Sequence, residues 1–215
     1  GGVSSARNMA LEQIEAAGYF DYVCFIDPDD YISRFYLEKF VSLVRQYTPD
    51  IAFCGLQEFD KSGLLNNHKP LVKASNPYCQ DALISRLTST GEWADTYADV
   101  RGLTNLMIDA KILLGERFDQ SISNAEDTLF NLQITLKANT GAYVDEILYF
   151  YRQRKGSLVR NKDLTLPALV FCERFFDFPE KVRPFLANHI LALTRNSIAA
   201  SITEGVDVPQ ERVQR

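Results

Sequence analysis

Several of the residues that build functional sites are scarce in this chain. Its 215 residues include two histidines, four cysteines and one tryptophan. Cys24, Cys54, Cys79 and Cys172 are far apart, and no C-x-x-C pair occurs, which argues against a zinc site. Cys24 and Cys54 lie inside apolar runs and read as small buried hydrophobes, so a reducing, cytoplasmic setting fits. His68 stands in a polar stretch and His189 in a helical stripe, and neither position points to chemistry. Basic excess is lacking too: 23 Lys and Arg face 28 Asp and Glu, a net charge of -5, which argues against nucleic acid as a partner. No apolar run reaches the length of a membrane span.

The rest is ordinary globular composition, 46% hydrophobic and 24% charged, enough for one substantial core or a domain with an appendage. Ser4 or Ser5 is placed to cap a helix with Ala6, Met9, Ala10, Ile14 and Ala17 at three- and four-residue spacing, and Gly18 to end it. Tyr22 to Ile26 is a short unbroken apolar run, the pattern of a strand buried on both faces of a parallel sheet. A second helix puts Leu37, Phe40, Val41 and Val44 on one stripe and stops before Pro49. Ile51 to Leu56 reads as the next strand, so the order helix-strand-helix-strand predicts an α/β fold. Gln57 to Pro77 is polar and aperiodic, with a turn at Asp60 to Gly63, and reads as a functional loop or insertion. Gln80 to Leu87 suits a short helix; Leu103 to Leu114 stays open between strand and helix. A helix follows from Asn124 to about Asn139, then a strand from Val144 to Tyr151. From Leu164 the chain is mainly helical, interrupted by Pro167, Pro179 and Pro184.

Two acidic stretches stand out. In FIDPDDYI an apolar strand runs straight into Asp27, Asp29 and Asp30. Strand ends of open α/β sheets are where ligands bind, and carboxylates suit hard cations such as Mg2+ or Mn2+, which keep positions open for phosphate oxygens. Asp27 and Asp29 alternate and could converge on one ion. The plainer reading is that Asp29 or Asp30 caps the next helix. In NAEDTLFNLQ, Asn124 is a good N-cap, and Glu126 and Asp127 suit the positive end of the helix dipole. The functional reading makes Asp127 a general base for an incoming hydroxyl, with Glu126 orienting it or binding acceptor hydroxyls.

Arg152, Arg154, Lys155, Arg160 and Lys162 crowd one segment of an acidic chain; they form either a solvated face or a cluster that neutralises a leaving diphosphate. Trp93 and Tyr97 are either packing or a stacking wall for a sugar. Phe171, Phe175, Phe176, Phe178 and Phe185 read as core or a partner interface, and Arg174, Lys181 and Arg183 beside them also suit contact with a membrane surface.

Together these segments are more specific than any one. GGVSSARNMALEQIEAAGYFDYVCFIDPDD resembles the middle of family 2 glycosyltransferases of the GT-A fold, with their Gly-x-Ser-x-Ala-Arg-Asn helix start, a Gly before the strand and an Asp-x-Asp-Asp turn. RFDQSISNAEDTLFNLQ resembles the acceptor-side Glu-Asp motif, and LYFYRQRKGS a segment of the bacterial polysaccharide-type members. The resemblance covers roughly Gly1 to Leu158. It implies a partial GT-A domain over 1–158, a Rossmann-like mixed sheet flanked by helices, and a mainly helical extension over 159–215. It also implies that the amino-terminal strands binding the nucleotide are missing from this stretch, so a chain of this sequence alone would expose a sheet edge and self-associate.

The implied activity is inverting sugar transfer from a nucleotide-diphosphate donor to a hydroxyl of a glycan or lipid-linked sugar, in cell-surface polysaccharide synthesis. Asp127 would be the base, and Asp29 with Asp27 would hold the cation. Asp30 would bind the donor or support the ion from behind. Arg7 would reach the donor or hold Asp27, and Arg152 and Arg154 would close over the diphosphate. The expected place is the cytoplasm, at the inner face of the membrane if it touches lipid, with self-association open. Two other readings remain: a nucleotidyltransferase on a similar scaffold, and a non-catalytic assembly module.

Overall fold

The computed structural model describes residues 2–65, 76–88, 102–122, 125–153 and 165–203. The chain divides into two compact units, one of 1–120 with 127–154 and one of 121–126 with 155–215. The boundary expected after residue 158 lies outside the described residues.

The first unit is built on a mixed seven-stranded sheet: β1 (Tyr22–Cys24), β2 (Tyr31–Ile32), β3 (Ile51–Asp60), β4 (Gly63–Leu64), β5 (Tyr78–Cys79), β6 (Leu106–Asp109) and β7 (Thr140–Arg152). The order is β1-β6-β3-β7-β2, with β4 on β3 and β5 on β7. Only β3 and β7 run parallel; the other pairs are antiparallel. The helices are α1 (Val3–Ala17), α2 (Tyr36–Tyr47), α3 (Gln80–Thr88), α4 (Ala110–Leu113) and α5 (Glu126–Lys137).

Strand alternation assigns the layers. Ile51 and Phe53 of β3, Leu106 and Ile108 of β6 and Tyr143 of β7 face one side. There they meet Leu11 of α1, Leu83 of α3, Leu113 of α4 and Phe130 and Ile134 of α5. Ala52, Cys54, Leu56, Met107, Ala142 and Val144 face the other side and pack on Tyr36, Phe40 and Leu43 of α2. Burying each large side chain of this kind contributes about 1.5–3 kcal/mol. The sheet thus lies between two helical layers, the α/β arrangement expected.

One irregularity matters for the site. Between Cys54 and Leu56 of β3, the partner residue on β7 jumps from Val144 to Tyr149. The offset is odd, so it reverses which face β7 presents. Before it, Ala142 and Val144 face α2; after it, Tyr149 and Tyr151 do.

Several local expectations change. β1 is a half-buried strand at the end of the sheet, paired antiparallel with β6, not a member of a parallel sheet. Its apolar run reports that both faces are covered, which holds, since Val23 packs on one core and Tyr22 and Cys24 on the other; it carries no signal of strand direction. In α1 the buried face is Ser4, Asn8 and Leu11, while Met9 is 65% exposed; the helix starts before Ser4, which caps nothing. Gly18 does close it, at φ 66°, donating its N–H to Ile14 O. In α2 the inward stripe is Tyr36, Phe40 and Leu43, and Leu37 and Val41 are exposed. β3 runs on to Asp60, whose Oδ1 accepts from Ser62 N–H at 2.7 Å and turns the chain into β4, so part of the expected loop is a hairpin. The ambiguous stretch 103–114 resolves into β6 and α4. Cys54 is buried and Cys24 half-buried, and burial pushes the Cys24 thiol up to about 11.

α1 is tied to the segment before α5 by polar contacts. Asn8 donates through Nδ2 to Phe118 O at 2.9 Å and accepts Phe118 N–H on Oδ1 at 2.8 Å, as a strand would. Glu15 accepts both terminal nitrogens of Arg117, at 2.9 and 2.6 Å, and Gly115 N–H at 2.7 Å.

The second unit holds α6 (Thr165–Glu173) and α7 (Arg183–Thr203), joined through short 3-10 turns at Phe175–Asp177 and Glu180–Val182. Pro167 and Pro184 fall in the first turns of these helices, where no N–H is needed, so they start the helices instead of breaking them. His189 lies between Phe171 and Phe185, with ring centroids at 4.9 and 5.7 Å. Among the described residues no helix is long and apolar enough to cross a membrane.

Two outcomes test this frame. At Gly141 a Cβ would collide with Leu83 Cδ2 and come within 3.3 Å of Ile51 O. Gly141→Ala should lower stability in urea unfolding by about 1–3 kcal/mol, and an unchanged midpoint would contradict the packing of α3 on β7. Arg117, with the Gly115 N–H, lowers the Glu15 carboxyl from 4.5 to about 2. A depressed carboxylate stabilises the fold above its unfolded value and ceases to do so as pH falls through the folded one. The Tm gap between wild type and Glu15→Gln should therefore be constant above pH 4.5 and close towards pH 2. A gap independent of pH would mean the pair contributes nothing.

Candidate active site

The site starts at the end of β1. Phe25 is buried, and the chain then turns through Asp27, Pro28, Asp29 and Asp30, closed by Asp30 N–H donating to Asp27 O at 3.2 Å. The elements on either side hold this turn. From α1, Arg7 Nη2 reaches Asp27 Oδ1 at 3.1 Å, with the arginine side chain 14% exposed. Arg7 thus holds Asp27, one of the two roles expected for it. From β7, the Tyr149 hydroxyl donates to Asp30 Oδ2 at 2.6 Å and accepts Asp27 N–H at 3.2 Å. Arg152 N–H donates to Asp30 Oδ1 at 2.9 Å. Burial raises the pKa of Asp30, against the lowering effect of those two hydrogen bonds. The Tyr149 phenol is pushed up, by burial first and then by the Asp30 carboxylate, so it stays protonated.

Asp30 therefore has a protein partner on each oxygen. The Arg152 guanidinium lies over the rings of Tyr31 and Phe59, 4.9 and 5.5 Å from their centroids. Tyr31 and Phe59 also line a shallow apolar groove with Leu64 and Phe150.

Among the described residues, no three His, Cys, Asp or Glu are grouped to hold a metal ion. The donor set still fits a divalent cation of the kind expected. Asp27 and Asp29 would be its carboxylate donors, and Mg2+ usually takes only one or two carboxylates beside phosphate oxygens.

The second acidic stretch opens α5. Asp127 Oδ1 accepts Thr128 N–H at 2.7 Å. One turn on, Phe130 stacks on Phe118 with centroids 3.9 Å apart and planes at 5°, and meets Phe25 edge-on at 6.2 Å. Positions three apart share a helix face, so Asp127 lies on the same face of α5 as Phe130. Arg7 lies 5.3 Å from the Phe118 ring. Asp27, Arg7, Phe25, Phe118 and Phe130 thus form one connected cluster. Sequence reasoning set Tyr149 beside the basic segment and did not connect it with the acidic turn, and it missed the clasp of Asn8. Trp93, Tyr97, Asn124, Arg154 and residues 155–162 lie outside the described residues.

No family model matches this chain. Sequence relatives are the glycosyltransferase EpsJ of Bacillus subtilis, named as uncharacterised, 29% identical over 160 residues, and the glycosyltransferase GlyA of Streptococcus pneumoniae, 30% identical over 163. Each match takes in 74% of this chain, but 44% of EpsJ and 22% of GlyA. The crystal structure of residues 1–349 of Staphylococcus aureus TarS in complex with UDP-GlcNAc superimposes with a TM-score of 0.62 at 21% identity, over 90% of this chain and 53% of that one. TarS is named a poly(ribitol-phosphate) beta-N-acetylglucosaminyltransferase. The chain therefore spans at most about half of these relatives. It is a partial-length homologue of bacterial glycosyltransferases, as its motifs imply, and carries the GT-A type α/β fold over the part it spans.

Proposed function

We propose that the protein of which this chain is at least a part transfers a sugar, with inversion, from a nucleotide-diphosphate donor to a hydroxyl of a glycan or lipid-linked acceptor, in making a cell-surface polymer. The observation that carries this reading is the built acidic turn, with Asp27 clamped by Arg7, Asp30 tied to β7, and Phe130 of α5 meeting Phe25, two residues before the turn. The UDP-GlcNAc complex of TarS supports a nucleotide-sugar donor, and the names of TarS and of the B. subtilis minor teichoic acid biosynthesis protein GgaB support a surface-polymer acceptor.

Asp127 accepts the acceptor proton as that oxygen attacks the anomeric carbon, with Glu126 beside it to orient the acceptor. Asp29 and Asp27 would hold a Mg2+ or Mn2+ ion, which would supply positive charge for the leaving diphosphate. Arg7 keeps Asp27 aimed. Arg152 and Arg154 add positive charge on the diphosphate side. Asp30 acts through the turn. Free thiols at Cys24, Cys54, Cys79 and Cys172 suit a cytoplasmic site.

In the full-length protein, Asp127→Asn should cut kcat by about 100-fold or more with donor KM nearly unchanged. Asp29→Ala should instead raise the donor KM and the metal concentration needed. Transfer by Asp127→Asn at the wild-type rate would overturn the base assignment, and a product of retained anomeric configuration would overturn inversion.

A further inference from the structure

We propose that Tyr149 is a positioning residue of the acidic turn, its hydroxyl holding Asp27 and Asp30 in a fixed relation so that Asp27 and Asp29 are presented together to a divalent cation. The proposal rests on the cation site of the function proposed above and adds to it a residue that bears no charge and coordinates nothing.

The polarity of the contact is dictated by the groups. A backbone N–H can only donate, so the Tyr149 oxygen accepts from Asp27. An ionised carboxylate can only accept, so the single phenolic proton goes to Asp30. One hydroxyl is thus used in both directions and bridges the first and last acids of the turn. Arg152 N–H occupies the other Asp30 oxygen, so the turn is fastened to β7 at two adjacent sites. Arg7 holds the Asp27 carboxylate from α1 while Tyr149 holds the Asp27 backbone from β7. Asp29 lies between the two fastened acids.

The placement follows from the offset in β7. Had β7 kept its register past Cys54, odd-numbered residues such as Tyr149 would face the α5 side of the sheet. The odd offset puts Tyr149 in the α2-side core, fully buried, with its ring packed and only its hydroxyl spoken for by the turn. A ring fixed in that way loses little further freedom on holding the turn, which suits a positioning role.

Tyr36 is the natural control. It is equally buried in the same core, and its hydroxyl donates to Thr104 O at 3.3 Å. The test is a calorimetric titration with Mn2+ alone on the full-length protein, alongside thermal melts and, where transfer is measured, the donor KM and kcat. Tyr149→Phe should weaken Mn2+ binding by about tenfold, the scale of one lost charge-assisted hydrogen bond, and raise the donor KM more than it lowers kcat. Tyr36→Phe should lower the Tm and leave Mn2+ affinity unchanged. If Tyr149→Phe binds Mn2+ within about twofold of wild type while its Tm falls as for Tyr36→Phe, the phenol is only packing and the proposal is overturned. If wild type itself binds no Mn2+, the cation reading of the turn fails and the proposal falls with it.

Discussion

The pairing of β3 with β7, and the odd offset within it, is the constraint on which the rest depends. The two strands run parallel through the middle of the sheet, and both helical layers pack on them. Below the offset, β7 gives Tyr143 to one core and Ala142 and Val144 to the other. Beyond it the faces are exchanged, and β7 arrives beside β2 with a tyrosine hydroxyl and a backbone N–H aimed at the acidic turn.

Around that strand the polar contacts divide into those that build the site and those that leave it free to act. Arg7 and Asn8, adjacent in α1, do different work: one holds a carboxylate of the turn, the other clasps the backbone at Phe118. Phe118, stacked on Phe130, then fixes the helix that begins with Glu126 and Asp127. A short motif near the start of the chain therefore reaches both acidic stretches, one by an ion pair and one through an aromatic stack. Asp30 is engaged on both oxygens, by Tyr149 and by the Arg152 backbone, so its part is to fasten the turn to β7.

Much of this was legible in the sequence, and the misses have physical causes. The α/β class, α2, β7 and the helix at Glu126 follow from periodicity. The family resemblance rested on the order of three motifs, and the relatives and the TarS fold agree with it. Strand direction at β1 was not legible, because an apolar run reports burial and not pairing. The buried face of α1 was misplaced, because its inward positions include two polar residues, Ser4 and Asn8, the latter satisfied by the Phe118 backbone. The link from Tyr149 to the acidic turn was not legible for the opposite reason. A tyrosine in a run of aromatic residues looks like packing, and only the offset from β3 shows that its hydroxyl meets the acids.

The central claim is that Asp27 and Asp29 form the cation end of a donor site with Asp127 close by. Paramagnetic line broadening by Mn2+ in the amide NMR spectrum of the full-length protein tests it most directly. The account predicts that the amides of Asp27, Asp29 and Asp30 broaden first and that of Asp127 next, ahead of any in α7. Broadening centred elsewhere, with the turn amides sharp, would contradict it.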